Sequence, residues 1–338
     1  MKNIKRNATL IVLVLLIVCF LILKDDFSNI MNTLAKVNLW WISIALIVML
    51  ISWVFKSLSL YILVKEQNKN IKLKTIVHQM VITEFFNNIT PFATGGQPMQ
   101  IYMLKNLNIS VANATNMSIQ RFLFYQTALL AHGVLAIFLN YRYDLVSVNS
   151  TLWTLIMLGF IINTVVGIAL LFISFSTKFN NSVGKLIIKM AAKFKIIKNK
   201  ESTLESWKTK LKEYHENAEQ LKKNKSLFIR GFIYNFLSLA AVYTLPIFII
   251  YSMGIFDSLT ILQAIVASAF VLIIGNFVPI PGGSGGIEFG FLEFFKPYFL
   301  GPTLPAALII WRFITYYFGI LAGGLAFSFY KGGTKTCE

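Results

Sequence analysis

Three apolar runs, residues 8–23, 39–64 and 152–177, constrain this chain more than any other feature of its sequence. Each is close to the ~20 residues that a helix needs to cross ~30 Å of hydrocarbon. The composition agrees: 56% of the 338 residues are hydrophobic and 13% are charged, with a mean hydropathy of +0.67. Soluble domains carry about 25% charged residues. An ordinary cytosolic enzyme, a nucleic-acid-binding domain and a disordered chain are therefore excluded. The reading is an all-α polytopic membrane protein, a single integral membrane domain over residues 1–338.

Lys and Arg outnumber Asp and Glu by 31 to 14, a net charge of +17. On a soluble protein that excess suggests nucleic acid. On this chain it reads as cytoplasmic loops held inside by positive charge and facing anionic headgroups, so no nucleic acid is expected as a partner. Cys19 lies in the first apolar run and Cys337 one residue from the C-terminus, so no disulfide is expected. Lys2, Lys5 and Arg6 precede the first run and no small-residue cleavage site follows it, so it reads as an uncleaved span.

Full spans are expected at about 8–23, 39–64, 118–140, 152–177, 227–252 and 304–330, with both termini cytoplasmic. Two further apolar stretches, 76–104 and 260–300, are broken by Pro, Gly and Asn. Segment 65–75 carries Lys65, Lys69, Lys72 and Lys74 against Glu66, and segment 178–226 carries thirteen Lys against five Glu; both belong inside. Segment 141–151 nets zero and segment 252–259 holds Asp257 alone, which suits the outside. Stretch 76–104 must then start and end inside, and 260–300 must start and end outside. Two oppositely oriented re-entrant hairpins meet both demands. Kinked full spans, or one hairpin plus an extra helix, are the alternatives. Paired interrupted segments of this kind point to a transporter's midplane site. No residue-level internal repeat is evident, so the inverted symmetry rests on topology.

Within 178–226, Leu204, Trp207, Leu211, Tyr214, Ala218 and Leu221 form a heptad stripe, and Lys185, Lys189 and Lys193 lie four apart among apolar residues. A basic helical insert along the inner leaflet is expected, as a topology anchor or a lipid-recruiting surface.

The first hairpin reads Glu84-Phe-Phe-Asn-Asn-Ile-Thr-Pro91-Phe-Ala-Thr-Gly95-Gly96-Gln97-Pro98, and the second Pro279-Ile-Pro281-Gly282-Gly283-Ser284-Gly285-Gly286-Ile-Glu288. Prolines break the helices, and glycines permit positive φ and close backbone approach. A Gly-rich turn ahead of a helix N-terminus favours an anion, in this setting a lipid phosphate. Neither stretch fits a phosphate-binding nucleotide loop or a dinucleotide fingerprint. Arg312, deep in the last span, needs a carboxylate, a carbonyl or a lipid phosphate; Glu84 or Glu288 is its candidate counter-ion, or titrates in a proton-coupled cycle. Glu288 equally suits a helix cap. Arg121 and Arg230 sit near cytoplasmic span ends, where snorkelling explains them, although Arg121 follows the first hairpin. Lys56 and His132 also lie in spans, and an internal hydrogen bond is expected for His132. No metal site, catalytic triad or cofactor is expected.

Residues 90–98, the Pro279–Glu288 block, and Trp311-Arg312-Phe313 with Gly319 resemble the lysylphosphatidylglycerol synthase transmembrane family, the flippase-like membrane region of multiple peptide resistance factor proteins. Many members of that family carry an Arg shortly after the first Pro-Gly turn; this chain has Gln97, Met99 and Gln100 there, with Arg121 as the substitute. The resemblance implies translocation of an aminoacylated phosphatidylglycerol across the plasma membrane, which would serve cationic peptide resistance. It also implies a substrate-binding set of Glu84, Pro91, Gly95, Gly96, Gln97, Arg121, Pro281, Gly282, Gly283, Gly285, Gly286, Glu288 and Arg312. In full-length members a soluble C-terminal domain performs the aminoacyl transfer, and only Lys331–Glu338 follows the last span of this sequence. The leading expectation is thus a lipid flippase, and polyprenyl-phosphate or glycolipid cargo fits the same physics. The others are a phosphatidylglycerol lysyltransferase-type membrane enzyme, or a non-transporting partner of a separate synthase or glycosyltransferase. A homo-oligomer is compatible with each.

Overall fold

The computed structural model describes residues 27–176, 224–276 and 278–330. The expected first span, nearly all of the 178–226 insert, and Lys331–Glu338 lie outside the described residues. Among the described residues the chain is helical, with no strand. Helix α1 is Phe27–Ala35, α2 Leu39–Gln67, α3 Leu73–Asn88, α4 Gly96–Lys105, α5 Val111–Tyr143, α6 Ser150–Phe175 and α7 Lys225–Ser252. Helix α8 is Ile261–Gly275, α9 Gly286–Phe295, α10 Thr303–Arg312 and α11 Phe318–Ser328; a π-helical turn, Phe313–Tyr317, joins the last two into one long element.

Five of the expected spans are present as long apolar helices: α2, α5, α6, α7 and the α10–α11 element. Local chemistry sets their starts. The side chains of Asn38, Ser110, Asn149 and Asn224 each accept a backbone N–H from the first turn of the helix that follows. Thr260 and Gln263 form a reciprocal capping box at α8. The Ser110 cap starts α5 at Val111 rather than near 118, which carries Arg121 ten residues into the helix, roughly 15 Å along its axis.

Helices α2 and α7 lie side by side and antiparallel. Asn38 N–H donates to Ser252 O at 2.7 Å at one end, and the Ser52 and Ser238 hydroxyls meet at 2.8 Å midway. This pair sets the orientation of everything else. The first broken stretch leaves from the C-terminal end of α2 and the second from the C-terminal end of α7, so the two depart from opposite ends of the bundle. Helices α3, α4, α8 and α9 have 16, 10, 15 and 10 residues, too short to cross ~30 Å as single spans. Instead α3 folds back along α4, and α8 along α9. They are hairpins of opposite orientation, and their tips touch each other.

The larger core lies among α7, α8, α9 and α10, where Tyr243, Phe270, Phe291, Phe294, Phe295 and Phe299 are buried. A smaller one joins α2, α3, α4 and α5 around Leu60, Ile76, Met80, Leu104 and Phe124. Helix α11 reaches the first hairpin through Gly319 and Gly323: a Cβ at Gly323 would stand 2.5 Å from Val81 O, so only glycine allows this approach to α3.

Candidate functional site

The two tips follow the same backbone path over their first four residues, and part at Thr94 and Ser284 (ψ −17° against 141°). Thr90 (φ −120°, ψ 144°) and Ile280 (φ −116°, ψ 144°) are extended ahead of Pro91 and Pro281. Left-handed pairs follow, Phe92 and Ala93 at φ 52° and 53°, and Gly282 and Gly283 at φ 65° and 62°. The Thr94 hydroxyl donates to Pro91 O at 2.9 Å, and the Ser284 hydroxyl to Pro281 O at 2.9 Å. A residue-level repeat therefore exists, Pro-x-x-Thr/Ser-Gly-Gly, contrary to the expectation of none. Its signal was six residues long and masked by Phe92-Ala93 standing where the second tip has Gly282-Gly283.

The glycines do different work in each tip. The expectation of positive φ holds for Gly282, Gly283 and Gly285 but not for Gly95 and Gly96. Gly95 lies in the right-handed region at φ −77°, and a Cβ on Gly96 would fall 1.9 Å from Asn87 Oδ1. Close packing, not chirality, demands glycine there.

In the second hairpin Arg312 acts as a clasp. Its Nε donates to Glu288 Oε1 at 2.6 Å and its Nη2 completes the ion pair. Its Nη1 donates to Gly282 O at 3.0 Å, and Nη2 reaches Ser284 Oγ at 3.4 Å. The other Glu288 oxygen accepts Gly285 N–H at 2.6 Å. The helix N-terminus expected to receive an anion is thus filled by the protein's own carboxylate. Of the two candidate counter-ions, Glu288 is the one Arg312 takes.

Glu84 pairs instead with Lys56 Nζ at 3.1 Å, giving that intramembrane lysine a partner that residue spacing alone does not indicate. Arg121 departs from its expected snorkelling. It is 8% exposed, its Nε donates to Gln100 Oε1 at 2.9 Å, and its Nη1 approaches Met80 Sδ at 3.9 Å. Its position three turns inside α5 leaves no route to the surface. Arg230 does stay exposed near the start of α7. His132 makes the internal hydrogen bond expected of it, Nδ1 to Ala128 O at 3.0 Å.

Tyr316, in the π-helical turn, ties the hairpins together. Its hydroxyl donates to Asn88 O at 3.1 Å, and Asn88 Nδ2 donates back to Tyr316 O at 3.1 Å. Its ring lies where a Cβ on Gly282 would be, 2.2 Å away, and under the Arg312 guanidinium at 5.1 Å. The extra residue of a π turn rotates the helix and brings Arg312 and Tyr316 onto the tips together. Nothing in composition or spacing announced that turn.

The structure therefore gathers Glu288, Arg312, Gly282, Gly283 and Gly285 at one tip. It holds Glu84 on α3 and Arg121 with Gln100 behind the other. Pro91 is exposed, Gln97, Pro281 and Gly286 are half-buried, and Gly95 and Gly96 line the start of α4. Pro91–Thr94, Pro279, Ile280 and Gly285 are all exposed, so the joined tips face an open side of the bundle.

The family model of the lysylphosphatidylglycerol synthase TM region matches residues 8–323, nearly the whole chain and both hairpins. The chain belongs to this family. A comparison with curated proteins finds none similar to the chain. For this lysylphosphatidylglycerol synthase TM-region protein, the family match and the hairpin geometry agree on a multi-pass membrane protein. Its charged interior is built around two broken-helix tips.

Proposed function

We propose that this protein moves a phospholipid between the leaflets of a bacterial-type plasma membrane, with lysylphosphatidylglycerol as the foremost cargo. One observation carries the reading: oppositely entering hairpins meet at exposed tips, and the ion pair at one tip has the same charges as the proposed headgroup. A lysylated headgroup carries a phosphate and an ammonium. It can exchange with Arg312–Glu288 ion for ion, phosphate to Arg312 and ammonium to Glu288, without leaving a bare charge in hydrocarbon. Glu84, held by Lys56, is a second carboxylate for a cationic headgroup. The acyl chains stay in lipid along the open side, and the tips part while the headgroup passes. The termini are cytoplasmic in this reading.

Chemistry on the lipid and docking of a separate synthase or glycosyltransferase are the competing roles. Transport is tested by reconstituting the purified full chain in liposomes with fluorescent phosphatidylglycerol, its lysyl derivative or a polyprenyl phosphate, using a membrane-impermeant quencher. Movement of lysylphosphatidylglycerol well above protein-free liposomes is expected. No movement of any probe would reject autonomous transport, and a new lipid species would favour the enzyme.

A further inference from the structure

The repeat between the tips extends to the helices behind them. Each hairpin is followed by a long span, and each of these carries one buried arginine that reaches back to the hairpin's second helix: Arg312 on α10 to Glu288 on α9, and Arg121 on α5 to Gln100 on α4. The two arrangements match in form and differ in charge. Arg312 meets a carboxylate, whereas Arg121 meets a neutral amide.

The surroundings of Arg121 do not correct that difference. Among the described residues the ion pairs are Lys56–Glu84 and Arg312–Glu288, so Arg121 has no carboxylate within pairing distance. Glu84 is near enough to act on it electrostatically, but its Oε1 is taken by Lys56. The membrane-depth charges Lys56, Glu84, Arg121, Glu288 and Arg312 leave one positive charge in excess, and it resides on Arg121.

Unpartnered polar atoms lie on the three helices that enclose this guanidinium, α3, α4 and α5. Gln100 Nε2 belongs to the amide whose oxygen accepts from Arg121, and it is a buried donor with no acceptor. Ser118 Oγ, one turn before Arg121 on α5, is also buried and unpartnered. So is Oε1 of Gln79, which is adjacent in sequence to Met80, the residue that touches Arg121. Gln79, Gln100 and Ser118 are 2%, 0% and 1% exposed, against 8% for Arg121. A water molecule would satisfy the amide and the hydroxyl but would not neutralise the guanidinium. A cation, an amide N–H donor and a hydroxyl together want one species, an oxyanion.

We propose that Arg121, Gln100 and Ser118 form an anion subsite for a phosphate group, separate from the Arg312 clasp. Arg121 holds the charge, Gln100 Nε2 and Ser118 Oγ donate to the oxygens, and Gln79 Oε1 takes a proton-bearing oxygen or a bridging water. Arg312 cannot serve in the same way in this arrangement, because Glu288, Gly282 and Ser284 occupy its donors. Naming a lipid phosphodiester as the source rests on the transport reading; the oxyanion chemistry does not.

The substitution that tests this is Gln100→Glu, which gives the first hairpin the arginine–glutamate pair that the second already has. The full chain in detergent is titrated with dihexanoyl-phosphatidylglycerol and, separately, with inorganic phosphate, and binding is followed by thermal shift. The wild type is expected to bind at least one of them. Gln100→Glu should melt at or above the wild-type temperature yet bind about tenfold or more weakly, and Arg121→Gln should weaken binding likewise. Arg121→Lys, which keeps the charge, should fall within about threefold of wild type. Binding of the lipid alone supports a phosphodiester source, and equal binding of inorganic phosphate supports a free-phosphate site. Wild-type affinity in Gln100→Glu, or no binding by the wild type, overturns the subsite. Leaflet movement by the wild type is scored separately, so either claim can fail without the other.

Discussion

Arg312 and Glu288 show how a charge is kept at membrane depth. Each is less than a tenth exposed, and all three guanidinium nitrogens and both carboxylate oxygens have a partner within one tip. Removing one partner strands the other, which typically costs about 3–5 kcal/mol. Arg312→Met should therefore lower stability by roughly that amount. The double variant Arg312→Met/Glu288→Gln should recover about half of the loss, because the glutamine oxygen still accepts Gly285 N–H and no bare charge remains. Melting temperatures of the two variants in the same detergent check this. The arginine and both glutamates were legible as suspects because charges in apolar runs are rare, but which pairs with which was not. Glu84 and Glu288 both stand beside broken helices, and only the fold gives Lys56 to one and Arg312 to the other. Gln100 carried no signal, since its meaning depends on Arg121 being buried.

At the scale of elements, the five long helices were legible because hydropathy over a membrane's thickness is a strong constraint. Hairpin orientation was legible too, because lysine-rich loops on one side and charge-poor loops on the other leave few ways to thread the chain. Helix boundaries and the π turn were less so. The start of α5 depends on the Ser110 cap, one polar residue in a polar stretch, and the π turn Phe313–Tyr317 has no proline or glycine inside it to mark it. Docking of α11 on the first hairpin makes a firm prediction. A leucine at Gly323 would meet Val81 O and Phe85 Cβ, within 2.6 Å of where its own Cβ must sit. Backbone cannot give way as a side chain can, so Gly323→Leu should destabilise by about 2–3 kcal/mol or more. Gly324→Leu, where the nearest atom is the Phe85 ring at 3.5 Å, should be tolerated far better. Expression and melting temperature of the pair decide it.

Across the whole molecule, α2 and α7 form an antiparallel axis from whose opposite ends two similar hairpins enter, and a tyrosine in a π turn holds their tips together. In the transport we propose, the two hairpin halves trade places about a fixed charged centre, which is what alternating exposure of a headgroup to two leaflets demands. The halves are not equivalent: one clasps its arginine with a glutamate, and the other leaves its arginine facing an amide. The direct test is leaflet movement of lysylphosphatidylglycerol in liposomes carrying wild type, Arg312→Ala or Glu288→Gln, each checked for a monodisperse folded peak before reconstitution. Transport through the tips predicts quencher-accessible movement with wild type and a fall to the protein-free level in both variants. Movement at the wild-type rate in both folded variants would contradict it.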